Sequence, residues 1–123
     1  MIKKCHVTRL DKFGRVRLPS ASRSVAEDAS VSEVFVTSVD DRTIQIYQLM
    51  AWYELLDKMP KTKKVDPLLR KFLMKANYNG HIVRVDRFGR IQIPGFLRQR
   101  LKLEGEIKIE ENEDRLELMP TRG

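Results

Sequence analysis

The chain reads as an α+β protein in which one β-rich unit is used twice, with helices between the copies. Two observations carry this expectation. The stretch "TRLDKFGRVRLP" (Thr8 to Pro19) returns as "VRVDRFGRIQIP" (Val83 to Pro94), so that Asp11, Gly14, Arg15 and Pro19 recur as Asp86, Gly89, Arg90 and Pro94 at one interval of 75 residues (86 − 11). Further on, "DDRTIQIY" (Asp40 to Tyr47) is answered by "NEDRLELM" (Asn112 to Met119). Self-similarity of this kind marks an internal duplication.

In chain order, residues 1–48 form the first repeat: a strand through Leu10, a turn, a strand over Arg15 to Leu18, a short helix from Pro19, then strands near Val34 to Val39 and Thr43 to Tyr47. Residues 49–80 form a helical connector. In "LMAWYELLDKM" the apolar residues Trp52, Leu55, Leu56 and Met59 fall at i, i+3, i+4 and i+7, one stripe of a helix. In "VDPLLRKFLMKANYNG", Asp66 can cap, Pro67 suits the first helical position, Leu69, Phe72, Leu73 and Ala76 make the stripe, and Asn79-Gly80 stops it. The helices are expected to close over a core shared by the repeats. Residues 81–123 repeat the first order, with a strand through Val85, a strand over Arg90 to Ile93, a helix from Pro94 to about Leu101, and a last hairpin joined at "NED". The alternation in "HIVRVDR" and "RIQIP" has period two, as half-buried strands have. The whole is one pseudo-duplicated domain, because units this small bury too little surface to stand alone.

At 123 residues, 41% hydrophobic and 33% charged, the composition is that of a soluble globular protein. No apolar run approaches the roughly 20 residues that span a bilayer. The N-terminus has basic residues without an apolar stretch behind them, so no secretory signal is expected, and a single cysteine, Cys5, fits a reducing compartment. The cytoplasm is the expected location. The net charge of +7 points to polyanionic partners, and it is uneven: Asp57 to Lys75 and both glycine-centred turns are basic, whereas Leu103 to Glu117 is acidic.

The repeated turn separates into parts that geometry explains and parts that it does not. Asp at the first position and Gly at the fourth suit a type I turn closed by a left-handed glycine. A proline that cannot continue a strand can open a helix. An arginine directly after the glycine, twice, is not required by either. Arg15 stands among Arg9, Lys12 and Arg17, and Arg90 among Arg84, Arg87 and Arg98. Arg15 could simply brace its turn against Asp11, and Arg90 against Asp86. Alternatively the aspartate orients the guanidinium fork toward a phosphate or a guanine edge. The two readings are compatible, and the surplus cations favour the second. Phe13 and Phe88, at the turn tips, are expected to pack on the first strand of their own hairpin or on a neighbouring subunit.

Catalytic chemistry finds no support. His6 and His81 are isolated, and Cys5 and His6, being adjacent, point to opposite sides of a strand and cannot readily share a metal ion. There is no phosphate-cradling glycine loop, nucleophile elbow or paired carboxylate motif. No enzyme activity, metal or other cofactor is expected.

The doubled D-x-x-G-R-x-x-x-P pattern, with "YQLMAWYELLDKM" after the first copy and a helix before the second, resembles the MraZ family of the swapped-hairpin superfamily that includes AbrB and MazE. The resemblance spans nearly the whole chain. It implies duplicated swapped-hairpin β-barrel units, homo-oligomers ranging from a dimer to a ring such as an octamer, and sequence-specific binding of double-stranded DNA. It further implies transcriptional control of bacterial division and cell-wall genes, and a nucleoid-associated location. The family's D-x-x-x-R residues fall on Asp11 and Arg15 and on Asp86 and Arg90. With the residues read above, the expected DNA-binding residues are Arg15, Arg90, Asp11, Asp86, Lys12, Arg9, Arg17, Arg84 and Arg87, the two aspartates orienting their arginines. The rival expectation is a ring-forming scaffold or an antitoxin-like module that holds another protein.

Overall fold

The computed structural model describes residues 4–19, 33–57 and 66–121. Eight strands and three helices follow one another among these residues. They are β1 (Lys4–Arg9), β2 (Arg15–Arg17), β3 (Glu33–Thr37), β4 (Ile44–Gln48), α1 (Leu49–Asp57), α2 (Pro67–Asn79), β5 (His81–Arg84), β6 (Arg90–Gln92), α3 (Gly95–Leu101), β7 (Glu106–Glu111) and β8 (Leu116–Pro120). The class is α+β, as expected. The short helix anticipated from Pro19, Met59 of the first connector stripe and residues 58–65 of the basic Asp57 to Lys75 stretch lie outside the described residues.

Both glycine-centred turns form as their residues require. Gly14 and Gly89 take φ of 81° and 78°, and the Gly14 and Gly89 N–H groups donate to the carbonyls of Asp11 and Asp86, each at 3.0 Å. Beyond the turns the strands part company with their own copy. β1 pairs antiparallel with β7, β5 with β3, and β2 with β6. The hairpins β3–β4 and β7–β8 close locally, and β4 joins β8. The main sheet therefore runs β1-β7-β8-β4-β3-β5, beside a two-stranded β2-β6 ribbon. Exchanging equivalent strands of the two copies reverses this order and leaves it unchanged. The pseudo-two-fold passes by the Gln45–Glu117 pair, with Ile44 opposite Leu118 and Ile46 opposite Leu116.

One correction follows from the topology. The anticipated barrels are not closed: the six-stranded sheet is open, with β1 and β5 at its two ends.

The principal core draws on both copies. Val16, Leu18, Val34, Val36, Ile44 and Ile46 pack with Ile91, Ile93, Leu97, Ile107, Ile109 and Leu118, all buried. A second correction concerns the helices. α1 and α2 do not cover this core, because successive residues of a strand point to opposite faces. Phe35, between Val34 and Val36, turns the other way and meets Tyr47, Trp52 and Ala76 in a separate cluster. The Phe35 and Trp52 rings stack with centroids 4.3 Å apart. Helix α2 starts as its sequence indicates, with Asp66 accepting from the Leu68 N–H at 3.0 Å and Pro67 in the first turn. Its C-terminal end is tied to the sheet by buried polar contacts: Thr37 Oγ1 donates to the Ala76 carbonyl and Asn79 Nδ2 to the Ser38 carbonyl, both at 2.7 Å. Satisfied buried groups of this kind fix where a helix docks.

Candidate nucleic-acid interface

The site is built from the two turns outward. In each, one aspartate does three things. Asp11 Oδ1 accepts from the backbone N–H groups of Phe13 and Arg15, and its Oδ2 accepts from Arg15 Nε, all at 2.9 Å. Asp86 repeats the set with Phe88 and Arg90, again at 2.9 Å throughout. Each arginine is therefore held by Nε, and its two outer Nη amines are unengaged among the described residues. The brace across each turn is in place, and it leaves the outer amines of the guanidinium unspent.

Hydrogen bonding sets the charge state of both aspartates. The Arg15 backbone N–H, with further bonds from the Arg15 side chain and the Phe13 N–H, holds the Asp11 carboxyl below the usual carboxylate range despite some desolvation. At Asp86 partial burial pushes upward most strongly, yet the bonds from Arg90 and the Phe88 N–H together outweigh it, and the net direction is again down.

At the aromatic tips, the alternative of packing within the hairpin is not the one seen in the single chain, and a neighbouring subunit is the expected partner that stands. Phe13 and Phe88 are 56% and 46% exposed and carry cations rather than packing on the first strand of their hairpins. Arg15 Cζ and Lys12 Nζ lie 5.0 and 5.1 Å from the Phe13 ring centre. Arg90 and Arg87 Cζ lie 5.0 and 4.8 Å from that of Phe88. The guanidinium of each central arginine is thus held by a carboxylate and by an aromatic ring.

Pairing of β2 with β6 joins the two turns into one surface. Arg15 stands opposite Gln92, Val16 opposite Ile91, and Arg17 opposite Arg90. Val16 and Ile91 are buried, so the alternation of a strand turns Arg15, Arg17, Arg90 and Gln92 to the other face. Arg15 and Arg90 are diagonal neighbours there, with Cα atoms about 7–8 Å apart by sheet geometry. The tips are stitched across the ribbon as well. The Leu18 N–H donates to the Gly89 carbonyl at 2.8 Å and the Ile93 N–H to the Gly14 carbonyl at 2.9 Å. Arg17 Nε reaches the Phe88 carbonyl at 3.1 Å, and Gln92 Nε2 reaches the Phe13 carbonyl. Below the ribbon, Arg98 Nε donates to the Ile93 carbonyl at 3.1 Å, and its guanidinium occupies the space where a Cβ on Gly14 would stand, 2.4 Å from Cζ.

Over most of its length the chain is similar to known proteins. The chain is 31% identical over 109 residues to the transcriptional regulator MraZ of Acidobacterium capsulatum, an alignment covering 89% of this chain and 75% of that protein. It is 31% identical over 110 residues to the transcriptional regulator MraZ of Koribacter versatilis, with 89% and 75% covered. To the transcriptional regulator MraZ of Neisseria meningitidis serogroup A it is 27% identical over 119 residues, with 96% and 79% covered. The chain belongs to the MraZ family of transcriptional regulators. No family model matches it.

Within this MraZ-family chain, the expected contact residues divide by position. Arg15, Arg17 and Arg90 share the ribbon face. Lys12 and Arg87 are exposed at the turns beside the phenylalanine rings. Arg9 and Arg84 end β1 and β5, outside the ribbon, and stand opposite Glu106 and Glu33 across their strands, which offsets part of their charge. Gln92 was absent from the sequence expectations although it shares the face with the arginines. The repeat interval could have found it, since Arg17 plus 75 is position 92. Among the described residues no group of three or more His, Cys, Asp or Glu side chains could hold a metal ion, and no helix is long and apolar enough to cross a membrane.

Proposed function

We propose that this protein is a sequence-specific, double-stranded-DNA-binding transcriptional regulator whose reading element is the β2–β6 ribbon. The observation that carries the reading is the register of that ribbon, which places Arg15, Arg17, Arg90 and Gln92 on one exposed face. A two-stranded ribbon fits the major groove, where arginine pairs with guanine and glutamine with adenine. Lys12, Arg87, Arg9 and Arg84 add non-specific attraction to the phosphates. Asp11 and Asp86 orient the arginines and do not themselves touch the anion.

The exchange of strands between the copies supports the duplicated swapped-hairpin arrangement of the family, with the two halves completing one another. Family membership carries the further reading that the regulated genes serve division and cell-wall synthesis and that the protein acts at the nucleoid in the cytoplasm. Leu68, Met74 and Tyr78, exposed by 77%, 66% and 80% on α2, support association into homo-oligomers. An oligomer arrays ribbons at a fixed spacing and gains avidity on tandem DNA elements. The same apolar side chains favour the second reading, a scaffold that binds protein and needs no operator.

Fluorescence anisotropy with promoter DNA from the protein's own chromosomal neighbourhood, across a salt series, separates the two. The DNA reading expects log K to fall with log salt by about 0.9 per phosphate contacted, and sequence preference to vanish in Arg15→Ala and Arg90→Ala. Weak binding that ignores sequence and both substitutions rejects it.

A further inference from the structure

The two copies match so closely across the turn that their one difference in charge stands out. Under the 75-residue interval, Arg9 to Pro19 maps onto Arg84 to Pro94, and each charged position keeps its sign except Arg17, whose equivalent is Gln92. The pseudo-two-fold of the ribbon runs through the Val16–Ile91 pair and would exchange those two side chains.

Both side chains do the same structural work. Arg17 Nε donates to the Phe88 carbonyl at 3.1 Å, and Gln92 Nε2 donates to the Phe13 carbonyl. Their outward ends are chemically opposite. With Nε committed, Arg17 presents only Nη donors. Because a carbonyl can be met only by the amide's NH2, Gln92 presents its Oε1 acceptor. The end where Arg17 faces Arg90 thus offers cationic donors alone, whereas the end where Gln92 faces Arg15 adds a neutral acceptor.

A two-fold-symmetric ribbon set against a duplex favours a self-complementary site, since each half meets the same chemistry. We propose that the Arg17/Gln92 pair breaks that symmetry and gives the recognised DNA unit a direction, Arg17 selecting an acceptor-rich edge such as guanine at one end and Gln92 an edge with an exocyclic amine at the other. This rests on the DNA-binding reading above. Gln92 is a specificity-determining residue, and its mirror, Arg17, is the other half of the same device. A mismatched edge at either end costs about tenfold in affinity or more.

The test is selection of duplexes from a randomised pool by the full-length wild type, by Gln92→Arg and by Arg17→Gln, with thermal unfolding of each protein alongside. The wild type is expected to enrich a unit with two unlike halves. Each variant restores chemical symmetry and is expected to enrich a self-complementary unit, with different bases for the two variants. If Gln92→Arg fails to fold, Arg17→Gln still decides, because glutamine already holds the mirror carbonyl at position 92. A self-complementary wild-type unit, or folded variants that keep the wild-type unit, overturns the proposal. A wild-type pool with no enriched sequence overturns the DNA-reading function beneath it.

Discussion

Arg17 and Arg90 face one another directly across the β2–β6 ribbon, two cations at a cross-strand position where like charges repel. The arrangement persists because each is anchored elsewhere, Arg17 at the Phe88 carbonyl and Arg90 at Asp86 Oδ2. A polyanion laid on this face would relieve that repulsion.

Arg17→Gln should therefore leave folding intact or improve it by about 0.2–1 kcal/mol at low ionic strength, while weakening binding to DNA. Urea unfolding and anisotropy on the same samples check this. A substitution that lowers stability and leaves affinity unchanged would make Arg17 a brace alone.

Acid should loosen the turns. The Asp11 and Asp86 carboxyls sit below their ordinary value of about 3.9 in the folded chain. Their contribution to stability is thus complete above that value and is lost as pH falls through the lower folded values. Carbon-13 titration of the two carboxyls should give midpoints below that of an aspartate in a short unstructured peptide, and Asp86→Asn should flatten the acid limb of the stability curve. Midpoints at the peptide value would contradict the hydrogen-bond pattern.

Glycine tolerance should differ between two left-handed positions. Gly14 and Gly105 have φ of 81° and 66°. A Cβ on Gly14 would meet Arg98 Cζ at 2.4 Å, whereas one on Gly105 finds nothing within 4 Å. Alanine costs about 1–2 kcal/mol at either from backbone strain. Gly14→Ala must in addition displace the Arg98 guanidinium, so it should be the more damaging in urea unfolding and should disturb the adjoining ribbon tip.

The aromatic tips should matter to binding more than to folding. A cation–π contact at an exposed site is worth about 0.5–1 kcal/mol. Phe88→Leu should reduce DNA affinity by about two- to fivefold through looser placement of Arg90, with little change in thermal stability, and Phe88→Trp should restore it. Equal affinity in the leucine variant would remove the ring from the positioning of the arginine.

Local chemistry was readable along the chain. Asp11-x-x-Gly14 and Asp86-x-x-Gly89 specify their turns through side-chain-to-backbone bonds two and four residues away, and Asp66-Pro67 specifies the start of α2 in the same short-range manner. Periodicity located Trp52 and Ala76 in a packed stripe, and the 75-residue interval marked the two like turns. Strand partners were not readable. Nothing next to Val16 in sequence says that it pairs with Ile91, or that β1 seeks β7, because such pairings join residues about 75 or 100 positions apart and are chosen by which apolar faces can be buried together. That choice places Arg17 opposite Arg90, brings Gln92 onto the arginine face and turns Phe35 away from Val34 toward Trp52. The turns are made by neighbouring residues, whereas the surface they compose exists only once the two halves of the chain have paired.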